Sequence, residues 1–155
     1  MRLRPSSREV SAERHPAVTR VGRYLALMLA TNLVWEVFQL PFYTLWATGT
    51  PFEIAWAVIH CTAGDGLIAA GALAFGWLIT GRPPFDTPVP ASLIVSAVVA
   101  GLSFTLFSEW RNTQVTHAWT YSGLMPLIPG IGIGLTPVLE WVMLPTGALL
   151  WIFRR

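Results

Sequence analysis

Apolar side chains fall into four long stretches, at about residues 24–46, 52–80, 91–110 and 136–153, parted by short runs rich in proline, glycine and charge. Each stretch is close to or longer than the roughly 20 residues that an α-helix needs to cross a bilayer. Backbone polar groups in hydrocarbon must be satisfied within their own segment, so each stretch reads as a helix. Thr48-Gly49-Thr50-Pro51 supplies a turn signal between the first two. Between the second and third, GRPPFDTPVP at 81–90 carries four prolines and two charges, which no helix interior accommodates. The fold class predicted is all-α: an integral membrane bundle of about four transmembrane helices, forming one domain over 24–155 behind an Arg-rich tail at 1–23.

The stretch from Asn112 to Leu135 breaks the pattern. Its second half is apolar, yet Pro126, Pro129 and four glycines after residue 122 interrupt it. Irregular backbone at membrane depth is tolerated only when it is buried in protein or lines a wet cavity. An outer cap or a shallow re-entrant hairpin is therefore expected here.

Polar residues inside the spans carry the candidate chemistry, because an ionisable side chain in a bilayer is costly and marks either a function or a specific helix contact. Asn32, Glu36, Gln39 and Tyr43 are spaced i, i+4, i+7 and i+11, which places them on one helical face directed at protein or water. Pro41 frees a carbonyl one turn earlier and is expected to kink the helix beside Gln39. The second span holds His60-Cys61-Thr62-Ala63-Gly64-Asp65-Gly66, in which Gly64 and Gly66 clear space around the acid for a neighbouring helix or ligand. His60 stands about 140° round the helix from Asp65, so the two are no same-face metal pair. Thr105, Ser108, Glu109 and Asn112 end the third span on one side, and Thr136 and Glu140 open the fourth one turn apart. Glu36, Asp65, His60 and Glu109 are the catalytic candidates, and Asn32, Gln39, Tyr43, Trp119, Tyr121 and Glu140 the substrate-binding ones. They are expected to converge on a polar cavity in the outer half of the bundle, with His60 at its wall.

Simpler roles compete at several of these positions. Glu109 could pair with Arg111 at the interface, and Glu140 in a first helical turn is favoured by the helix dipole alone. His60 could be a neutral imidazole bonded to an acid, His117 an exposed loop residue, and Cys61 a small packing residue.

Composition agrees with a membrane protein: 54% of residues are hydrophobic and 12% charged, with a mean hydropathy of +0.55, where a soluble domain is about 25% charged. A net charge of +2 raises nucleic acid as a partner. The placement of the arginines excludes it, since they lie at the chain ends and in short loops and no lysine occurs. Arg2, Arg4, Arg8, Arg14, Arg20, Arg23, Arg82, Arg154 and Arg155 fall on one side of the spans and Arg111 alone on the other. The positive-inside rule then puts both termini in the cytoplasm, in a cell inner membrane. The first twenty residues lack the order of a cleavable signal peptide and are expected to be loosely held, against anionic headgroups. A single cysteine excludes an internal disulfide and any CxxC metal or redox pair. No metal site is expected, no phosphate-binding glycine motif occurs, and no cofactor is singled out.

The phrases WEVFQLPFYTLW, HCTAGDGLIA, SEWRNT, WTYSGLMP and GIGLTPVLEW resemble those of a small family of bacterial multi-pass membrane proteins. The resemblance covers most of the chain beyond residue 25, and HCTAGD and SEW-N are its most specific parts. It implies a membrane fold of four to five helices and brings no reaction with it. An acid at a helix end followed by W-x-Y and a Pro/Gly-rich segment is similar, by analogy, to membrane enzymes of carotenoid biosynthesis.

Three functions follow as expectations. The first is acid–base chemistry on a lipophilic, isoprenoid-like small molecule, with a carboxylic acid donating a proton to an alkene or carbonyl and Trp35, Trp119 and Tyr121 facing a developing cation. The second uses the same acids for transport or binding of a proton, a cation or a small molecule. The third is an accessory subunit whose polar stripes are helix–helix glue. The lipid bilayer is a partner in all three.

Overall fold

The structure, a computed structural model, describes residues 7–152 apart from 84–87, with side chains from residue 19 onward. The first six residues, Phe153, Arg154 and Arg155 lie outside the described residues, as does most of what the Arg-rich tail was expected to do. Helices run from Ser7–Gln39 (α1), Leu45–Thr48 (α2), Pro51–Thr80 (α3), Ala91–Trp110 (α4) and Leu135–Ile152 (α5). Four segments are long and apolar enough to cross a membrane: Thr19–Phe42, Pro51–Thr80, Ala91–Val115 and Leu135–Ile152. Among the described residues no strand occurs beyond two isolated antiparallel bridges, Tyr43–Tyr121 and Leu127–Gly134. An all-α membrane bundle is therefore what the chain forms.

Local chemistry sets where each helix stops and starts. The first apolar stretch is not one helix to residue 46, because Pro41 lacks the N–H that would continue the ladder. The backbone instead tightens into a 3-10 turn at Leu40–Phe42, then forms the four-residue α2. At its other end α1 reaches back to Ser7, where a loose tail was expected. A capping box opens α3: Glu53 N–H donates to Thr50 Oγ1 (3.3 Å) while Thr50 N–H donates to Glu53 Oε2 (2.8 Å). Pro90 precedes α4. α4 does not stop at Trp110 but passes into one turn of π-helix at Arg111–Val115.

The outside of the bundle is apolar, with Phe38, Leu67 and Leu78 each more than three-quarters exposed, an arrangement that only lipid solvates without cost. Apolar burial drives little association between helices that are already in lipid, so close packing and polar contacts must hold them. At the end of the bundle where α1 begins, Tyr24, Met28, Ala69, Leu73, Leu93, Ala97, Ala148 and Leu149 form a dry core with Trp141. Small residues bring the helices close. A side-chain carbon at Gly66 would stand 2.6 Å from Leu29 Cδ2 on α1, and one at Gly101 would stand 2.4 Å from the Trp141 ring on α5.

Gly101→Ala should therefore displace Trp141 and lower stability by about 1–3 kcal/mol. Gly64→Ala, with nothing within 4 Å of the added carbon, should leave it unchanged or slightly raised. Melting curves of the detergent-solubilised variants decide this, and equal melting temperatures for the two would contradict the packing described.

Candidate functional site

Above the dry core every spanning helix contributes a buried acid: Glu36 from α1, Asp65 from α3, Glu109 from α4 and Glu140 from α5. α1 delivers Glu36 because its inward face repeats every fourth residue, Tyr24, Met28, Asn32 and Glu36, all buried. Gly66 beside Asp65 allows α1 to come close enough for the acids to meet. The result is a three-helix cluster in which carboxylate oxygens of Glu36, Asp65 and Glu140 all lie within 4.8 Å of one another. Glu109 is near enough for its charge to act on all three, and among the described residues no arginine does so.

Neutral donors partly surround the acids. Gln39 hydrogen-bonds Glu36, and the Trp141 indole donates to Asp65. Other polar atoms in this layer have no protein partner although they are fully enclosed: both amide atoms of Asn32, Gln39 Oε1, Thr62 Oγ1, Asp65 Oδ2, Thr105 Oγ1 and Glu140 Oε1. Native interiors leave only a few such atoms per 100 residues, and a group of them in one place calls for a specific explanation.

Glu109 belongs to a second arrangement on the side of the cluster away from the dry core. Its carboxylate accepts from the Tyr121 hydroxyl and from Tyr43. The two phenol rings pack at 5.5 Å. Tyr121 Oη in turn accepts from Gly134 N–H (3.0 Å). Backbone bonds from Thr44 N–H to Thr120 C=O (2.9 Å) and from Ser122 N–H to Phe42 C=O (2.8 Å) pin the irregular segment across the end of α1. Ser122 Oγ adds a bond to Pro41 C=O at 2.8 Å, a carbonyl in the 3-10 turn that carries no helical partner. Burial, and then the bond to Glu109, push the Tyr121 phenol up, so it stays a donor throughout the physiological range. The segment at 116–134 thus caps the bundle as a clasped loop.

Of the residues singled out in the sequence, Glu36, Asp65 and Glu140 form one buried cluster with Gln39 bonded to Glu36 and Asn32 buried one turn along α1, and Tyr43, Tyr121 and Glu109 form the clasp next to it. Trp119 stands beside Glu109, its indole N–H near enough to act on the carboxylate but outside good hydrogen-bond geometry. His60 is not at the wall of this layer. It is exposed on the outside of α3, stacked on Trp56 at 5.8 Å, as the 140° offset from Asp65 dictates. Arg111 is exposed, and Glu109 turns to the two tyrosines instead. Trp141 was not singled out in the sequence; its pairing with Gly101 across helices has no signal in local spacing. Two cavities flank the bundle. One, of about 390 Å³, lies between α3 and α4 and is lined by Leu67, Ile68, Gly71, Phe75, Ala100 and Phe104 among others. The other, of about 130 Å³, lies between α1 and α3. Neither is lined by an acid.

Tyr121→Phe removes the donor to Glu109 and the acceptor for Gly134 N–H together. The loss should be about 1–3 kcal/mol, with faster proteolytic cleavage within 116–134. Unchanged cleavage would show that the clasp does not hold the segment.

No family model, curated protein or solved structure matches the chain.

Proposed function

We propose that the protein binds a cation, a proton or a metal ion, at a carboxylate centre inside the membrane. The observation that carries this reading is the approach of Glu36, Asp65 and Glu140 to within 4.8 Å in a buried layer. Three carboxylates so placed repel one another strongly, and no arginine among the described residues offsets them, so bound positive charge is what makes the arrangement affordable. The dry core fills the end of the bundle where α1 begins, while the other end is covered by the 116–134 loop and its Tyr43–Glu109–Tyr121 clasp. Cations therefore enter and leave on the clasp side. The positive-inside count supports reading that side as facing out of the cell, with both termini in the cytoplasm of an inner-membrane protein.

Acid–base chemistry on a lipophilic substrate is the second reading, and the α3–α4 groove supports it. Its wall includes Ile68, one turn from Asp65, and Phe104, adjacent to Thr105. An isoprenoid-like chain could lie there from the lipid. Changing Phe104 to Ala would then alter substrate turnover while leaving cation binding intact.

Charge entering a low-dielectric bundle moves across part of the membrane field, so binding is measurable as a transient current in proteoliposomes on a sensor surface. A rapid jump in pH or in cation concentration should evoke such a current from the wild-type protein. The folded Glu36→Gln/Asp65→Asn double variant should lose most of it. Equal currents from the two proteins for protons, Na⁺, K⁺, Mg²⁺, Ca²⁺ and Mn²⁺ would overturn the reading. Orientation is checked separately on a Cys61→Ser background. Cysteine at position 123, introduced as Gly123→Cys, should react with an impermeant thiol reagent in intact cells, and Pro88→Cys only after the cells are opened. The reverse pattern would invert the topology.

A further inference from the structure

We propose that the centre is a divalent-metal site in which Glu36, Asp65 and Glu140 supply carboxylate oxygens and the Asn32 amide a neutral one. This rests on the cation-binding reading above and narrows it to one class of ion. The acids alone would not suffice, since acidic groups gather in proteins for many reasons. What points to a ligand is the state of the atoms around them. Asn32 is wholly inaccessible, lies one turn from Glu36 on the inward face of α1, and has neither amide atom hydrogen-bonded. Glu140, 3% exposed, and Asp65, 9% exposed, each keep one carboxylate oxygen without any donor. A bare amide oxygen one turn from Glu36 and two bare carboxylate oxygens in the cluster cost several kcal/mol in aggregate unless something positive binds them.

Ligand chemistry and spacing choose among ions. All the donors are hard oxygens, while Cys61 and His60, the soft and borderline ligands nearest in sequence, do not belong to the cluster. That departs from the thiolate and imidazole sets of zinc and copper sites and favours Ca²⁺, Mn²⁺ or Mg²⁺. Oxygens bound to Ca²⁺ at about 2.3–2.6 Å can stand up to about 5 Å apart on opposite sides of the ion, while those on Mg²⁺ at about 2.0–2.1 Å reach only about 4.2 Å. Separations of up to 4.8 Å between the carboxylate oxygens lie within the span of the larger ion and reach beyond that of Mg²⁺ at their upper limit. Charge agrees: a divalent ion offsets two of the three carboxylates, a proton or Na⁺ only one. Gln39 Oε1 and Thr62 Oγ1, also unpartnered, offer further neutral oxygens beside Glu36 and Asp65.

The test uses the full chain in detergent, stripped with a chelator and dialysed against Ca²⁺, Mn²⁺ or Mg²⁺ alone. The expected result is one ion per chain, with Ca²⁺ or Mn²⁺ held more tightly than Mg²⁺ and a melting temperature that rises by several degrees on loading. Glu140→Gln and Asn32→Ala should each weaken binding tenfold or more, and His60→Ala should not. If a variant fails to fold, the wild-type stoichiometry decides by itself. Less than about 0.2 ion per chain for all three metals, or binding unaffected by Glu140→Gln, would overturn the metal site. Should that happen while proton or Na⁺ jumps still evoke currents lost in the Glu36→Gln/Asp65→Asn variant, the cation reading stands and only the divalent assignment falls. Absence of both signals would remove the two together.

Discussion

Four carboxylic acids placed on four membrane helices, with no lysine in the chain and no arginine among the described residues acting on the central three, impose the constraint around which the bundle is arranged. Lipid solvates none of them. Each must face inward, and facing inward fixes the rotation of its helix about its own axis. α1 presents Asn32 and Glu36, α3 presents Thr62 and Asp65, α4 presents Thr105 and Glu109, and α5 presents Glu140 with Trp141. The apolar surfaces that remain are left for lipid. In water the same sequence would be turned the other way, because the driving force for burial would act on Phe38, Leu67 and Leu78 rather than on the acids.

Two devices make this arrangement hold. Beneath the acids, small residues let the helices approach until Trp141 lies over Gly101 and its indole reaches Asp65, so one side chain serves both the dry core and the polar layer. Beyond them, Tyr121 ties Glu109 to the loop and, through Gly134, to the start of α5. That clasp explains how backbone interrupted by Pro126 and Pro129 can be ordered at the membrane boundary: its polar groups bond to Phe42, Pro41 and Thr44 instead of to lipid. It also makes one end of the centre reachable by rearranging a loop rather than by parting four helices.

How far this could be read from the sequence depended on the range of the interaction. Span number and class followed from apolar length alone. The stripe Asn32, Glu36, Gln39 was legible because 3.6-residue periodicity is local, and so was the break at Pro41, where the missing N–H acts within one turn. The offset of His60 from Asp65 was legible by the same geometry, yet His60 was still placed at the cavity wall because its chemistry was attractive; the structure puts it outside. That Glu140 would converge with Glu36 and Asp65 was legible from the depth of each acid along its span, but their approach to within 4.8 Å was not, because they come from three helices and no spacing within one segment encodes it. Trp141 was passed over for that reason too, as its partners Gly101 and Asp65 lie on other helices.

The central claim is that Glu36 and Glu140 belong to one electrostatic unit that needs positive charge. A double-mutant cycle tests it most directly: melting of wild type, Glu36→Gln, Glu140→Gln and the double variant in metal-free buffer at pH 8. Removing either charge relieves the same repulsion, so each single change should stabilise the bundle and the double should fall short of their sum, with a coupling of about 0.5–3 kcal/mol. Single effects that simply add, or that both destabilise, would contradict the account.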